Sequence, residues 1–323
     1  MRVLVTGAAG FIGSHVSEAL LSRGDSVIGV DNFNSFYDPA IKHANIRAIG
    51  SHPRASAFRL ERADLLADAE RIDALFPNDR LDAVIHLAAM AGVRPSIQDP
   101  LLYQRVNVEG TNRLLESARR HGVRPFVFAS SSSVYGARTE VPFREDDRVD
   151  DPVSPYAATK KAGELIGHTY HHLFGTRFVG LRFFTVYGPR QRPEMAIHLF
   201  AKNIMEGRPI TVYGDGSSSR DYTYVDDVTA GVVQALDRAA TTDGYRIYNL
   251  GKSDTTTLTE LIEHLERAIG KKALVDHRPD QPGDVPRTFA SVERAISELG
   301  YAPSTPVEIG VPRFVEWLRG QKV

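Results

Sequence analysis

The chain has 323 residues, a length that predicts one large α/β unit or two lobes. Its 39 basic and 40 acidic residues give a net charge of −1, so no general field attracts nucleic acid or an anionic membrane. The absence of cysteine excludes disulfides, thiolate metal sites, iron–sulfur clusters and a cysteine nucleophile. Because no signal-peptide core and no apolar run of about 18 residues occur, we expect a cytoplasmic protein with neither nucleic acid nor a membrane as partner.

The first half of the chain alternates β-branched runs with longer helical patterns, which is typical of an α/β fold with a doubly wound parallel sheet. The predicted strands cover residues 2–6, 26–31, 58–63, 83–89, 125–131 and 178–184. One long helix is predicted over 100–120 after Asp99, which can cap it. A second begins near Ser154 and runs to about residue 174, where Gly175 ends it.

The second half, from Pro189 onward, is richer in proline and glycine turns and predicts a smaller lobe. Its predicted helices cover 196–206, 225–238, 258–269, 292–299 and 307–318, and a strand over 246–250 is expected to return to the sheet. The predicted domains are therefore interleaved. Residues 1–184 with a return segment at about 225–250 form the larger one, and 185–224 with 251–323 form the smaller lobe.

Three glycines follow the first predicted strand and precede a helix: Gly7, Gly10 and Gly13 in TGAAGFIG. Backbone amides at such a turn can bind a pyrophosphate, and glycine permits the close approach that a side chain would block. Asp31 ends the second strand, where a carboxylate can accept bonds from ribose hydroxyls and repel a 2′-phosphate. The pattern favours NAD over NADP, whereas a glycine triplet alone is often only a turn.

Tyr156 and Lys160 lie four residues apart, on one face of the second long helix. An ammonium group about 4 Å from a phenol can lower its pKa by at most about three units, toward neutrality. Such a pair can move a proton, whereas the plainer interpretation is an amphipathic tyrosine on a surface helix. The serines at 130–133 favour proton transfer, because they end the fifth strand at the edge where open α/β sheets bind ligands.

These motifs, together with HLAA at 86–89, Asn107 and the SSSSVYG block, resemble those of the extended short-chain dehydrogenase/reductases over the whole chain. Within that family, DNFNSFYDPAIKHANI, LAAMAGVRPSIQDP, RFFTVYGPRQRPEMA, RDYTYVDD and QPGDVPRTFA are similar to UDP-glucuronate 4-epimerases. The resemblance implies that the larger unit is an NAD-binding Rossmann domain and that the smaller α/β lobe binds a UDP-sugar.

The resemblance also implies roles for individual residues. Tyr156 is the expected acid/base, Lys160 contacts the nicotinamide ribose and the tyrosine, and Ser131 completes the proton relay. The residues expected to bind NAD are Gly7, Gly10, Phe11, Ile12, Gly13, Asp31, Asn32, Asp64, Leu65, Leu87, Ala88, Ala89, Asn107, Ser130, Tyr156 and Lys160. The residues expected to bind substrate are Ser132, Ser133, Thr185, Arg192, Thr211, Tyr213, Arg220, Gln281 and Asp284.

Within the substrate set, the resemblance places Thr211 and Tyr213 at the uracil, and Arg220, Gln281 and Asp284 around the diphosphate and ribose. Many relatives have an arginine at the position of Gln281, so Arg278 is an alternative source of that charge. The sugar carboxylate is expected at Thr185, Ser132 and Ser133, with Arg192 closing over the sugar. Because Ser132 and Ser133 stand where dehydratases carry an acid, the resemblance argues against a dehydratase.

The implied reaction is the NAD-dependent 4-epimerisation of UDP-glucuronate to UDP-galacturonate through a 4-keto intermediate. Alternatives are a 4-epimerase of a neutral UDP-sugar such as UDP-glucose or UDP-galactose, a UDP-glucuronate decarboxylase, and a non-enzymatic NAD-binding sensor or scaffold. The family also implies a homodimer in which the two long helices of each subunit form a four-helix bundle. No metal site is expected, because the histidines lack an HExxH pattern or partner carboxylates at ligand spacing.

Overall fold

A computed structural model describes residues 1–279 and 285–321 of the chain. Its strands are β1 (Arg2–Thr6), β2 (Ser26–Asp31), β3 (Phe58–Arg62), β4 (Ala83–His86), β5 (Pro125–Ser131), β6 (Arg177–Phe183), β7 (Thr185–Tyr187), β8 (Ile210–Tyr213), β9 (Ser219–Arg220), β10 (Tyr222–Tyr224), β11 (Tyr245–Leu250), β12 (Thr256–Thr257) and β13 (Val275–Arg278). Its α-helices are α1 (Phe11–Arg23), α2 (Pro39–Gly50), α3 (Ala69–Asp79), α4 (Val93–Gln98), α5 (Pro100–Tyr103), α6 (Gly110–Arg120), α7 (Pro155–Phe174), α8 (Ala196–Glu206), α9 (Val225–Thr241), α10 (Leu258–Ile269), α11 (Glu293–Leu299) and α12 (Val307–Gly320).

The central element is a seven-stranded sheet with the order β11-β6-β5-β4-β1-β2-β3. Every pairing within it is parallel. Helices cover both faces, which explains why strands such as β1 and β5 are buried almost throughout. The predicted doubly wound sheet of Rossmann type is confirmed, and so is the return of the chain to the sheet, because β11 pairs with β6.

Strand β4 is shorter than predicted, because it ends at His86 rather than at Ala89. Beyond His86 the backbone leaves the sheet and passes the first glycine turn. The amide of Leu87 donates to the carbonyl of Thr6 at 3.2 Å, and the amide of Ala88 donates to the Thr6 hydroxyl at 3.2 Å. The apolar residues after His86 therefore line the turn after β1 rather than extend the strand.

The first long helix begins as predicted but is not α-helical throughout. Asp99 caps it by accepting from the Leu102 amide at 3.1 Å. Between α5 and α6, however, Gln104–Glu109 is π-helical. The Asn107 amide in this segment exchanges two hydrogen bonds with the Met90 backbone, at 2.8 and 2.9 Å. A π-helical turn of this kind often marks a functional site, and here it holds the helix to the loop after β4.

Helix α7 has the predicted ends. The Ser154 hydroxyl accepts from the Ala157 amide, and Gly175 closes the helix in the left-handed conformation with a φ of 68°. Inside the helix, Glu164 forms a buried ion pair with Arg182 of β6. This pair fixes the helix that carries Tyr156 and Lys160 against the sheet.

The second half of the chain forms three small two-stranded sheets beside the large one: β7 with β10, β8 with β13, and β9 with β12. Helices α8, α10 and α12 pack beside them. One apolar cluster runs continuously from Val3 and Val127 of the large sheet to Phe200, Leu261 and Phe314 of these helices. A second cluster fills the opposite face of the sheet. The smaller lobe therefore shares a core with the sheet, and the proposed boundary between residues 184 and 185 crosses packed structure.

Candidate active site

The glycine-rich turn between β1 and α1 is too tight for side chains. Gly7 has a φ of 71°, and a Cβ there would lie 2.9 Å from the Ala88 nitrogen. A Cβ on Gly13 would lie 2.0 Å from the Gly7 carbonyl oxygen. Among the described residues no side chain caps α1 at its Gly10 end, and its first turn has no acidic residue. The amides there, including those of Phe11 and Ile12, can therefore receive an anion, as a dinucleotide pyrophosphate requires.

Asp31 lies buried at the end of β2 and is already held by the protein. Its carboxylate accepts from the Phe33 amide at 2.8 Å and the Ala9 amide at 3.2 Å. Lys42 of α2, which the sequence analysis missed, lies 3.4 Å from the same carboxylate. These contacts aim Asp31 at the glycine turn, and a carboxylate with two oxygens retains capacity to accept from a ribose.

The residues after Asp31 add a second polar group at the same edge of the sheet. The Asn32 amide donates to the Asp64 carboxylate at 2.7 Å, and the Leu66 amide donates to that carboxylate at 2.8 Å. Although partial burial opposes it, hydrogen bonding from Asn32 and from neighbouring amides lowers the pKa of Asp64. Asp64 is therefore ionised at neutral pH and fixed beside Leu65, which is buried.

His86 is a core histidine and is buried. Its Nε2 lies 2.9 Å from the Thr111 hydroxyl, which itself donates to the Asn107 carbonyl. Nε2 must therefore carry the proton, and Nδ1 accepts from the Thr6 hydroxyl at 2.7 Å. Burial lowers the pKa of His86 to about 3, so the ring is neutral and ties β1 and β4 to the first long helix.

Ser131, Tyr156 and Lys160 come together at the carboxyl end of β5. The Lys160 ammonium donates to the Ala129 carbonyl at 2.7 Å and lies 5.9 Å from the centre of the Tyr156 ring. The Ser131 hydroxyl donates to the Ser133 hydroxyl at 3.1 Å. Asn107 donates to the Thr159 hydroxyl at 3.1 Å, which connects the π-helical segment to the turn of α7 between Tyr156 and Lys160.

The pKa values of this cluster differ from the simple expectation. Burial raises the pKa of the Tyr156 phenol, while hydrogen bonding from Ser131 and the charge of Arg192 lower it. Burial also lowers the pKa of Lys160 to about 7. The prediction that one ammonium brings the phenol near neutrality is therefore wrong for this structure, because burial is the largest effect on both groups and opposes the charged form of each.

Ser130 points away from this cluster, since successive side chains of a strand face opposite sides. Its hydroxyl donates to Glu164 at 2.6 Å. Glu164 in turn accepts two bonds from Arg182, both at 2.9 Å. The hydroxyl of Ser130 thus belongs to the buried ion pair beneath the site, and a contact of this residue with NAD stays a prediction.

Arg192 lies close enough to Tyr156 for its charge to act on the phenol. Its guanidinium carbon is 5.8 Å from the centre of the Phe36 ring, and its Nη1 is 3.1 Å from the Glu194 carboxylate. Tyr103 packs edge to face on Tyr156, with ring centres 6.2 Å apart. The sequence analysis missed Phe36, Tyr103 and Glu194; the only signal for Phe36 was its place in the segment just after Asp31.

The expected nucleotide contacts that the structure describes lie on strands of the smaller lobe. Thr211 and Tyr213 are on β8, and the Arg94 guanidinium of α4 lies 5.3 Å from the centre of the Tyr213 ring. Arg220 donates to the Pro286 carbonyl at 3.4 Å. Thr185 begins β7, where its amide donates to the Asp221 carbonyl at 3.1 Å.

Two of the predicted substrate residues, Gln281 and Asp284, lie outside the described residues. The alternative cation, Arg278, is described and ends β13, where it pairs with Asp276 at 2.8 Å. Its role at the diphosphate stays a prediction.

Within residues 1–279 and 285–321, no group of three or more histidine and acidic side chains could hold a metal ion. No helix there has the length and apolar character needed to span a membrane.

Comparison with known proteins supports the chemistry of the site. Residues 3–251 match the model of the NAD dependent epimerase/dehydratase family. UDP-glucuronate 4-epimerase 1 of Arabidopsis thaliana is 45% identical over 98% of this chain and 76% of its own length. The structure is also similar to UDP-glucuronic acid 4-epimerase from Bacillus cereus, solved with UDP-glucuronic acid and NAD, at a TM-score of 0.90 and 37% identity over 99% of both chains.

A neutral-sugar enzyme is also similar. UDP-glucose 4-epimerase of Thermus thermophilus, solved with NAD, has a TM-score of 0.87 and 36% identity over 99% of both chains. Its likeness extends over the same sheet and lobe, so fold alone does not choose the sugar. The glycine turn and the Ser131–Tyr156–Lys160 cluster agree with the family match over residues 3–251. This chain therefore belongs to the NAD dependent epimerase/dehydratase family.

Proposed function

We propose that the protein interconverts UDP-glucuronate and UDP-galacturonate by epimerisation at C4. The observation that carries this proposal is the position of Arg192, a cation whose charge reaches the Tyr156 phenol. A uronate brings a carboxylate next to C4, and a guanidinium suits a carboxylate better than a neutral sugar. The relatives named UDP-glucuronate 4-epimerase support the same choice of substrate.

Tyr156 is the proposed acid and base of the reaction. It removes the proton from the C4 hydroxyl as the C4 ketone forms, and it returns that proton to the alkoxide when the ketone is reduced. Ser131 can donate to the phenolate and so stabilise its charge. Lys160 is proposed to bind the nicotinamide ribose, and its ammonium also donates to the Ala129 carbonyl.

The chemistry that bound NAD would supply is hydride transfer, because NAD⁺ accepts a hydride from C4 and NADH can donate it back. The proposed contacts of this cofactor run from Gly7, Gly10 and Gly13 through Asp31 and Asp64 to Asn107 and Lys160. Because the hydride leaves one face of the sugar and returns to the other, the ketone must turn within the site. The chain's part is to hold the UDP group while it leaves the sugar room to rotate.

The substrate carboxylate is proposed to bind Thr185, Ser132 and Ser133, with Arg192 closing over the sugar and adding its positive charge to the same carboxylate. A 4-keto uronate is a β-keto acid, which loses CO₂ when the carboxylate bond aligns with the carbonyl π system. Several fixed donors hold the carboxylate near the carbonyl plane and so oppose that loss. This restraint favours an epimerase over a UDP-glucuronate decarboxylase.

The same helices that carry the site are proposed to join two copies of the chain. Leu101 of α5 and Leu165 of α7 are 70% and 56% exposed, and α7 packs against α5 and α6. Apolar residues exposed on neighbouring helices suit a four-helix interface between two subunits. The domain boundaries and a cytoplasmic location stay predictions.

Proton NMR of the purified protein with UDP-glucuronate and no added NAD tests the proposed function. We expect the signals of UDP-galacturonate to appear until the two sugars reach equilibrium, and UDP-glucose to react more slowly. Tyr156→Phe keeps the ring but lacks the proton acceptor, so it should turn over about 10² to 10⁴ times more slowly. Faster conversion of UDP-glucose would favour the neutral-sugar epimerase, and release of CO₂ as the main product would favour the decarboxylase.

A further inference from the structure

The arginine that we propose for the substrate carboxylate already has a carboxylate partner in this chain. Arg192 Nη1 lies 3.1 Å from Glu194 Oε1, and Arg192 Nη2 donates toward the Met195 sulfur at 3.5 Å. The Arg192 side chain is 21% exposed and that of Glu194 is 41% exposed. A negatively charged ligand can therefore reach this ion pair.

The charges of Glu194 and Arg192 affect the same tyrosine, Tyr103. Burial raises the pKa of Tyr103 to about 12, and there the charge of Arg192 lowers the pKa while that of Glu194 raises it. The Tyr103 ring rests on the ring of Tyr156, with centres 6.2 Å apart. The charges of Arg192 and Glu194 therefore both act on Tyr103, which packs edge to face against Tyr156.

The backbone that carries the pair is fixed. Arg190 has a φ of 67°, in the left-handed region, and its guanidinium binds Glu18 of α1 through two bonds of 2.8 and 3.0 Å. The buried Gln191 donates to the Val186 carbonyl at 3.1 Å. Any exchange of partners at Arg192 must therefore come from side chains rather than from movement of the loop.

The amino-terminal end of α8 offers the Glu194 carboxylate a second favourable position. Glu194 precedes α8, and within the described ranges no side chain caps that helix at Met195. The free amides of a first helical turn attract a negative charge. A Glu194 carboxylate displaced from Arg192 thus stays in favourable surroundings.

We propose that Glu194 is a specificity-determining residue that competes with the substrate carboxylate for Arg192. This inference rests on the proposed function. When a uronate binds, it must replace Glu194 at the guanidinium and tolerate its charge nearby, whereas a neutral hexose meets neither cost. Glu194 therefore weakens the binding of acid sugars selectively, which limits how tightly both substrate and product are held.

The test compares Glu194→Gln with the parent chain, both in a Tyr156→Phe background so that bound sugar is not converted. Calorimetry should show UDP-glucuronate binding about two- to fivefold tighter to Glu194→Gln, the range expected for the loss of an exposed ion pair. UDP-glucose affinity should not change, and the gain should shrink at high salt. Glu194→Asp, which keeps the charge, should show no gain.

A matched control removes an acid from an ion pair elsewhere. Glu293→Gln loses the partner of Arg144, at 3.0 Å, with the same change in net charge, and should leave both affinities unchanged. Unchanged or weaker UDP-glucuronate binding in Glu194→Gln overturns the inference, because Glu194 would then be neutral or would orient Arg192 usefully. A different result would overturn the proposed function: the chain with Tyr156 intact epimerises UDP-glucose but neither binds nor epimerises UDP-glucuronate.

Discussion

At the scale of single residues, burial acts against the charged forms of both titratable groups of the site, the Tyr156 phenol and the Lys160 amine. Burial raises the pKa of Tyr156 and lowers that of Lys160 to about 7. Ser131 and Arg192 oppose the first of these effects. The phenolate needed to begin the reaction is therefore stabilised by one hydroxyl and one distant cation, both supplied by other elements.

Ser131→Ala tests the role of that hydroxyl. A hydrogen bond donated to a phenolate favours the charged form, so its loss raises the pKa of Tyr156. Because removal of the O4 proton needs deprotonated Tyr156, the acid limb of kcat should move to higher pH. The pH profile of UDP-glucuronate turnover measures this shift, and an unshifted limb would show that Ser131 does not act on Tyr156.

Arg192→Ala tests the restraint on the carboxylate. Loss of a charge-assisted contact costs about 1.5 to 3 kcal/mol, or roughly 10- to 100-fold in affinity or rate. A less restrained carboxylate also reaches the geometry for decarboxylation, so we expect slower epimerisation together with CO₂ and a UDP-4-keto-pentose. NMR and CO₂ capture measure both products. Epimerisation at the parent rate without CO₂ would remove the main support for an acid sugar.

Much of this site could be predicted from the sequence, because motifs at the ends of parallel strands meet at one edge of the sheet. From this rule, Ser131 is predicted to lie near Tyr156, and Asp31 near the glycine turn. The rule could not find Phe36, Tyr103 or Glu194, since their contacts depend on the paths of loops rather than on periodicity. Nor could it show that Ser130 binds Glu164, because that contact depends on how α7 is positioned along β5.

At the scale of elements, the position of α7 depends on a buried ion pair. Glu164 and Arg182 have side chains that are 1% and 3% exposed, and Ser130 and Tyr135 complete their hydrogen bonds. The pair lies one turn beyond Lys160. Its loss should therefore affect both the stability of the fold and the placement of the catalytic helix.

Glu164→Ala leaves the Arg182 charge buried without its partner, which typically costs about 3 to 5 kcal/mol. Urea unfolding should show this loss of stability. The double variant Glu164→Met with Arg182→Met removes both charges and should be less destabilised than Glu164→Ala. If the two variants lose stability equally, packing rather than charge is what this position supplies.

The ends of helices and strands show which boundaries can be predicted from neighbouring residues alone. The predicted ends of α7 were correct because Ser154 and Gly175 determine them by capping. The helix predicted over 100–120 is present, but the sequence did not show that Gln104–Glu109 is π-helical, in a segment where the Asn107 side chain binds the Met90 backbone. The same limit applies to β4, whose apolar pattern continues past His86 although the strand does not.

At the scale of the whole molecule, the sequence separated two halves by composition but could not show that they share a core. The cluster that joins Val3 to Phe314 makes the smaller lobe part of the sheet's packing. Predicted substrate residues such as Thr211 and Arg220 lie on that lobe, whereas the predicted cofactor residues belong to the large sheet and its helices. This shared core therefore fixes the distance between the two groups.

His86 should make the stability of this whole unit depend on pH. Its pKa is about 3 in the folded chain, against an ordinary value of 6.5, so the unfolded chain binds one more proton between these values. Stability is therefore lost as pH falls below about 6.5, by roughly 2 to 3 kcal/mol at about pH 4.5. His86→Gln cannot take up this proton, so urea unfolding should show its deficit against the parent shrinking in acid; a constant deficit would contradict this account.

In the proposed reaction the chain moves a hydride off C4 and returns it to the opposite face of the same sugar. UDP-glucuronate carrying deuterium at C4, incubated with the purified protein and no added NAD, tests this claim most directly. We predict UDP-galacturonate that retains deuterium at C4, with no net accumulation of NADH. Loss of the deuterium to water would contradict it, and so would a reaction that starts only after NAD⁺ is added and then accumulates NADH.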